Sequence, residues 1–174
     1  MCPPQLTRAL VSCGITESQI GIIAPYRQQI RLITSLLDEY PDVEVLTADK
    51  SQGRDKDCIL MSLTRSNTEK QVGDLLKDWR RINVSITRAK AKLVIFGSRS
   101  TLANLALLQQ FFTIVDVKGW TYKLPANARA ACGREAARVE VPVKRGREGE
   151  SGSPKRARVD VARFALVTDI ANSV

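Results

Sequence analysis

The chain of 174 residues contains no histidine, and its four cysteines, Cys2, Cys13, Cys58 and Cys132, are scattered with no Cys-x-x-Cys pair. That absence argues against a zinc or iron-sulfur site built from this chain. The expected state of the cysteines is reduced thiol, suited to a reducing compartment, with Cys13 and Cys58 packed as small apolar residues beside Leu10-Val11 and Ile59-Leu60. No secretory signal opens the sequence, and no apolar run approaches the ~20 residues needed to cross a bilayer. Aromatic residues are scarce, at 5%. There is also no Gly-x-x-x-x-Gly-Lys-Ser/Thr phosphate loop, no acidic magnesium motif after an apolar strand and no cluster of nuclease carboxylates. Any ATP site to which this chain contributes is therefore incomplete within it.

What is present suffices for one domain of ordinary size, since 44% of the residues are apolar and can bury a core. The 27 lysines and arginines against 18 acidic residues give a net charge of +9, which favours polyanionic partners such as nucleic acid. Composition shifts near Leu124. Residues 1–124 read as a folded domain, and 125–174 read as a basic, low-complexity and mostly disordered tail. Within that tail, Lys144-Arg145-Gly146-Arg147 and Pro154-Lys155-Arg156-Ala157-Arg158 resemble a bipartite nuclear-import signal; a solvated basic tail has the same composition.

The first part alternates in type. Thr7 to Cys13 reads as the end of a helix stopped by Gly14, and Ile20 to Ala24 is a continuous apolar run of buried-strand character closed by Pro25. Tyr26 to Tyr40 places Ile30, Ile33, Leu36 and Leu37 on one helical face. Val43 to Thr47, Cys58 to Leu63 and Lys92 to Gly97 are β-like. Strands separated by helices imply an α/β parallel sheet, in which ligands gather outside the carboxyl ends of the strands.

Two polar segments carry candidate chemistry. In Thr47 to Asp57, Gly53 permits backbone geometry closed to other residues, while Gln52, Arg54 and Asp55 supply an amide, a planar cationic fork and a carboxylate. That mixture can grip a ribose and a phosphate, and it also suits a charged surface loop. Asp78 to Lys90 reads as a helix burying Ile82, Ile86 and Ala89, so that Arg81, Ser85 and Arg88 share another stripe. Two guanidiniums on one stripe favour a bridging phosphate, although a solvated basic face has the same pattern.

Ile22-Ile23-Ala24-Pro25-Tyr26-Arg27-Gln28-Gln29, then Gln52-Gly53-Arg54-Asp55-Lys56-Asp57, then Arg80 to Lys90 follow in the order found in superfamily 1 helicases, which the chain resembles. The 5′-to-3′ branch is the nearest in pattern. Within it, Ile59 to Asn67 and Leu75 to Arg81 resemble the helicase portion of the eukaryotic nuclease-helicases of flap processing and end resection, a likeness covering about Leu6 to Ser98. The resemblance implies the second RecA-like motor domain, with Arg88 as an arginine finger on the γ-phosphate of ATP. It implies Gln52, Gly53, Arg54, Asp55 and Arg81 at the nucleotide, and Tyr26, Arg27, Gln28, Thr47 and Lys50 at nucleic acid, with Gln29 sharing the motif of Gln28 and Arg80 and Asn83 supporting the finger. Relatives often carry glutamate where this chain has Asp55.

Magnesium-bound ATP would be shared with a preceding motor domain, and the family's iron-sulfur cluster lies outside this chain. Implied partners are single-stranded or flap DNA, the first motor and nuclease domains and a single-strand-binding protein, with no membrane. The implied location is the nucleus, and the resemblance also admits the mitochondrion. The chain is expected to be an N-terminally truncated fragment, the product of an incomplete gene model or an isoform, one that folds weakly alone and is inactive alone, with an apolar edge or face uncovered. An RNA helicase of the nonsense-mediated decay type and a non-enzymatic nucleic-acid-binding fragment share the same signals.

Overall fold

The apolar runs Ile20–Ile23, Cys58–Leu63 and Leu93–Phe96 become strands here because each is buried on both faces of a sheet. The computed structural model describes residues 2–63, 74–123 and 164–168. The helices are α1 (Pro3–Ser12), α2 (Arg27–Leu36), α3 (Asp74–Lys77), α4 (Trp79–Ile86), α5 (Arg99–Leu102) and α6 (Ala106–Val117). The strands are β1 (Ile20–Ile23), β2 (Glu44–Leu46), β3 (Lys56–Leu63), β4 (Ala89–Gly97), β5 (Thr121–Lys123) and β6 (Phe164–Thr168). They form a sheet in the order β2-β1-β3-β4-β6-β5, and every neighbouring pair is parallel. The α/β parallel sheet with flanking helices read from the sequence is the architecture found.

Alternate residues of each strand feed two cores. Ile23, Ile59, Met61, Leu63, Leu93 and Ile95 pack with Leu76, Ile82, Leu102, Leu108 and Phe112 on the face carrying α3 to α6. Ile20, Ile22, Cys58, Leu60, Val94 and Phe96 pack on the other face with Ile33 and Leu37, and with Leu6, Leu10 and Val11 of α1. Ile20, Ile22, Leu60, Leu93 and Ile95 have no exposed surface. Full burial of such a side chain stabilises by about 1.5–3 kcal/mol relative to exposure.

Local signals fix the helix ends. Pro3 and Pro4 occupy the first turn of α1, where an amide is not needed, and the Cys2 N–H donates to the Gln5 side chain. The helix thus starts at Pro3, and Thr7 to Ser12 form its later part. It stops as expected at Gly14, whose φ is 92°: Gly14 N–H donates to Val11 O, and Ile15 N–H to Leu10 O, which satisfies two orphan carbonyls. α2 ends at Leu36, short of Tyr40, and there the Arg8 guanidinium donates to the Leu36 carbonyl and to Glu39. Pro41 disfavours helical geometry at Tyr40.

Two readings, of a helix end and of the buried cysteines, are corrected. The helix expected over Asp78–Lys90 ends at Ile86, and Ala89-Lys90 begin β4. Thr87 Oγ1 bonds back to Asn83 and Val84 carbonyls, and Lys56 N–H then takes the Arg88 carbonyl and draws the chain into the sheet. Cys13 is exposed, whereas Cys2 and Cys58 are each buried, so among the described residues the packed cysteines are Cys2 and Cys58; burial pushes the Cys58 thiol up to about 11. The expected tail falls outside the described residues apart from Phe164–Thr168, which form β6 between β4 and β5. The two basic clusters, Cys132 and Thr64 to Asn67 also lie outside the described residues.

A methyl group at Gly97 would lie 2.6 Å from Leu102 Cδ1 and 2.9 Å from the Leu63 carbonyl oxygen, and a backbone atom cannot yield as a side chain can. Gly97→Ala is expected to lower unfolding free energy by about 1–3 kcal/mol. Urea titration of both chains checks this, and equal midpoints would show that α5 moves freely.

Candidate functional site

Between β1 and β3 the connections diverge: β1 leads through α2 to the edge strand β2, and β3 leads through α3 and α4 to β4 on the opposite face. Such a divergence opens a crevice at the carboxyl ends of the strands. A cleft of about 900 Å³ lies there, floored by Ile23, Met61 and Leu63. Its walls are Arg27, Ile30 and Arg31 of α2, the segment Thr47–Lys50, and Arg81, Ile82 and Ser85 of α4. Tyr26, the residue before α2, sits at its mouth. Four cations, Arg27, Arg31, Lys50 and Arg81, face one carboxylate, Asp49, so the cleft attracts anions. Arg81 Nε lies 3.2 Å from Asp49 Oδ1 and 3.6 Å from Asp78 Oδ2.

A second cluster lies at the amino ends of the strands. The segment after β2 makes a 3-10 turn at Asp49–Ser51, buries Ser51, turns through Gly53 with φ 75° and enters β3 at Lys56. Gln52, Gly53, Arg54 and Asp55 are exposed along this descent. Arg54 Nη1 lies 3.2 Å and Lys56 Nζ 3.0 Å from the two oxygens of Glu44. Burial opposes ionisation of Glu44, but the bonds from Lys56 and Arg54 outweigh it and hold the carboxyl below the usual range. Arg88, in the turn between α4 and β4, donates from Nη1 to Asp55 Oδ1 at 2.5 Å, from Nε to Val84 O at 3.1 Å and from Nη2 to Thr87 Oγ1 at 3.3 Å.

The candidate residues therefore separate into two groups at opposite ends of the sheet. Tyr26, Arg27, Thr47 and Lys50 converge on the cleft, while Gln52, Gly53, Arg54, Asp55 and Arg88 gather at the amino end. Arg81 lines the cleft, apart from Arg88, so the two do not share a stripe. Ser85 is buried and donates to the Arg81 carbonyl. Gln28 is exposed on α2 and does not line the cleft. Gln29 turns inward, and its amide donates to the Ser62 carbonyl and hydroxyl, tying α2 to β3. Arg80 lies over the exposed Trp79 ring at 5.7 Å, and the Asn83 carbonyl accepts from Thr87. Sequence reasoning did not single out Arg31, Asp49 and Glu44. Arg31 follows Arg27 by one helical turn, a spacing that marks a shared face; nothing local marks the other two.

A family model described as an AAA domain matches residues 4–100. The DNA replication ATP-dependent helicase/nuclease DNA2 of Xenopus tropicalis is 47% identical over 125 residues, which is 71% of this chain and 12% of that protein. Its human counterpart is 57% identical over 123 residues, 70% of this chain and 12% of that protein. The one from Saccharomyces cerevisiae is 38% identical over 126 residues, 71% of this chain and 8% of that protein. The chain spans about a tenth of the length of these relatives.

The lowered carboxyl of Glu44 has a signed consequence. A carboxylate held more acidic in the folded state contributes stability above its unfolded value, about 4.3 for glutamate, and loses it as pH falls through the folded value. Glu44→Gln should therefore be less stable than the parent at pH 7, with the gap closing as pH falls below about 4. Unfolding free energies across that range check the sign, and a gap that widens in acid would reverse it.

Proposed function

The chain belongs to the AAA-domain family as a superfamily 1 helicase motor domain similar to that of the DNA replication helicase/nucleases, and from that premise we propose that it is the second motor of a 5′-to-3′ DNA helicase/nuclease acting on single strands and flaps in replication and repair. The observation that carries this reading is the division of its candidate residues between two ends of one sheet, joined by the segment 47–55 and by α4. A motor that couples a nucleotide to a strand of nucleic acid needs two such stations. The names of the relatives favour DNA over RNA.

At the amino end, Arg88 meets the requirement of phosphoryl transfer for a fixed positive charge near the transferred group. A guanidinium stays ionised and forks onto two oxygens. Arg54, the Gln52 amide and the backbone at Gly53 add donors on the same exposed rim. This donor set fits phosphate oxygens and offers no metal cage, and among the described residues no group of three or more Cys, Asp or Glu is placed to hold a metal. Magnesium, when bound with ATP, neutralises phosphate charge, and the preceding motor domain is the natural holder of both. The described cysteines Cys2, Cys13 and Cys58 form no iron-sulfur set.

At the carboxyl end, the cleft takes the strand. Lys50, Arg27, Arg31 and Arg81 pair with phosphates, Thr47 donates a hydroxyl and Tyr26 offers a ring for stacking. The first motor and nuclease domains and a single-strand-binding protein are the proposed partners, and the nucleus is the proposed location.

Two measurements test the two ends. In a full-length helicase/nuclease carrying this chain as its second motor, Arg88→Ala should cut DNA-stimulated ATP hydrolysis by ~10³ or more and spare the nuclease; near-normal ATPase would remove the finger from Arg88. In the same protein, combined Arg27→Ala and Lys50→Ala should weaken single-stranded DNA binding alike across sequences, and flatten the slope of log affinity against log salt by about 0.7 for each phosphate no longer neutralised. An unchanged slope would place the strand elsewhere.

A further inference from the structure

Arg88 is not a loose side chain. Its side chain is 17% exposed, and three acceptors hold the guanidinium: the Val84 carbonyl in the last turn of α4, the Thr87 hydroxyl beside it, and the Asp55 carboxylate from the segment leading into β3. Two of these belong to the local turn and travel with Arg88. Among the described residues, only Asp55, 33 residues away in sequence, ties the guanidinium to another part of the fold. A guanidinium has five N–H donors. With Nε, one hydrogen of Nη1 and one of Nη2 occupied, one N–H on each terminal nitrogen remains that can donate to an oxyanion.

The backbone supports the same geometry. Lys56 N–H donates to the Arg88 carbonyl at 3.1 Å, and Lys56 pairs with Ala89 at the start of the β3–β4 ladder. Asp55 and Arg88 therefore emerge from adjacent strand starts, one residue before the first rung, and their side chains meet across it. Asp55 is the more exposed partner at 39%, so its carboxylate lies on the outer side of the pair.

We infer that Asp55 is a positioning residue for Arg88, holding the guanidinium with its terminal edge presented at the amino end of the sheet. This rests on the reading of Arg88 as the phosphate-stabilising finger and differs from a direct role for Asp55 at the nucleotide. A long, flexible arginine stem samples many rotamers, and fixing it before the reaction removes that search from the barrier. A loss of position of about 1 Å at a reacting group can cost ~10²-fold in rate. A carboxylate that instead contacted the ribose would act on binding in the ground state.

The experiment uses the full-length helicase/nuclease carrying this chain, with Asp55→Ala, Asp55→Glu, Arg88→Ala and the double variant Asp55→Ala/Arg88→Ala. Steady-state ATP hydrolysis is measured together with affinities for ADP and for ADP–aluminium fluoride, a mimic of the transferring phosphoryl group. Asp55→Ala should lower kcat ten- to a hundredfold with KM unchanged. It should weaken ADP–aluminium fluoride binding by a similar factor and leave ADP binding intact. Asp55→Glu should restore most of both, and Asp55→Ala should cost nothing further in the Arg88→Ala background. Weakened ADP binding with kcat intact would overturn the inference in favour of a nucleotide contact, and a rise in kcat would overturn it in favour of a restraint on the finger. Normal hydrolysis by Arg88→Ala would instead bring down the finger reading itself, an outcome separable from the other two.

Discussion

Parallel pairing of β3 with β1 on one side and β4 on the other is the constraint from which the rest of the molecule follows. Parallel strands cannot be joined by tight hairpins, so each connection must return along the length of the sheet. Polar connecting residues are thereby sorted into two sets, one where strands end and one where they begin. The span from β2 to β3 makes the return in nine residues, too few for a full helix, and does so through a single 3-10 turn. It leaves Thr47 and Lys50 at the carboxyl end and delivers Gln52 to Asp55 to the amino end. α4 makes the return on the same face of the sheet, with Arg81 near its start and Arg88 just past its end.

Much of this was legible. Ile20 to Ala24 was recognisable as a buried strand, and Cys58 to Leu63 and Lys92 to Gly97 as β-like, because both faces of a parallel sheet demand apolar runs. The face of α2 was legible from its spacing. The helix over Asp78 to Lys90 was read too long because Ile82, Ile86, Ala89 and Leu93 fit a helical period as well as they fit a helix followed by a strand. Ala89-Lys90-Ala91-Lys92 alternates with period two, and that was the contrary signal. What decided the matter was the partner strand, through Lys56 N–H and the Arg88 carbonyl, which no local pattern contains.

The site was half legible for a related reason. The rule that ligands gather at carboxyl ends of strands located the cleft, with Tyr26, Thr47 and Lys50 in it. It is silent on amino ends, where Gln52 to Asp55 and Arg88 meet. Acidic partners were harder still to foresee. Asp49, Glu44 and Asp55 each hold an arginine, and pairing of this kind depends on which loops the sheet brings together. Exposed ion pairs contribute about 0–1 kcal/mol each, so their importance here lies in direction more than stability: each fixes where a guanidinium points.

The segment 47–55 has a stiffness that bears on how the two ends communicate. Ser51 is buried at its midpoint, its amide donates to the Thr47 and Ala48 carbonyls, its hydroxyl donates to Ala48 O, and its carbonyl accepts from Arg54 N–H. Arg81 clamps the turn through Asp49, while Arg88 clamps its far end through Asp55. On the proposed function a strut so held would move as a unit. On the proposed function, a strand of DNA seated against Thr47 and Lys50 and a phosphate facing Arg88 would act on one rigid piece of chain, and α4 would carry the reaction at both clamps. Coupling then needs no long relay of side chains. On that reading, displacement at one end of the strut would be displacement at the other, and the nine residues of the shortest crossover in the sheet would set the distance over which it acts.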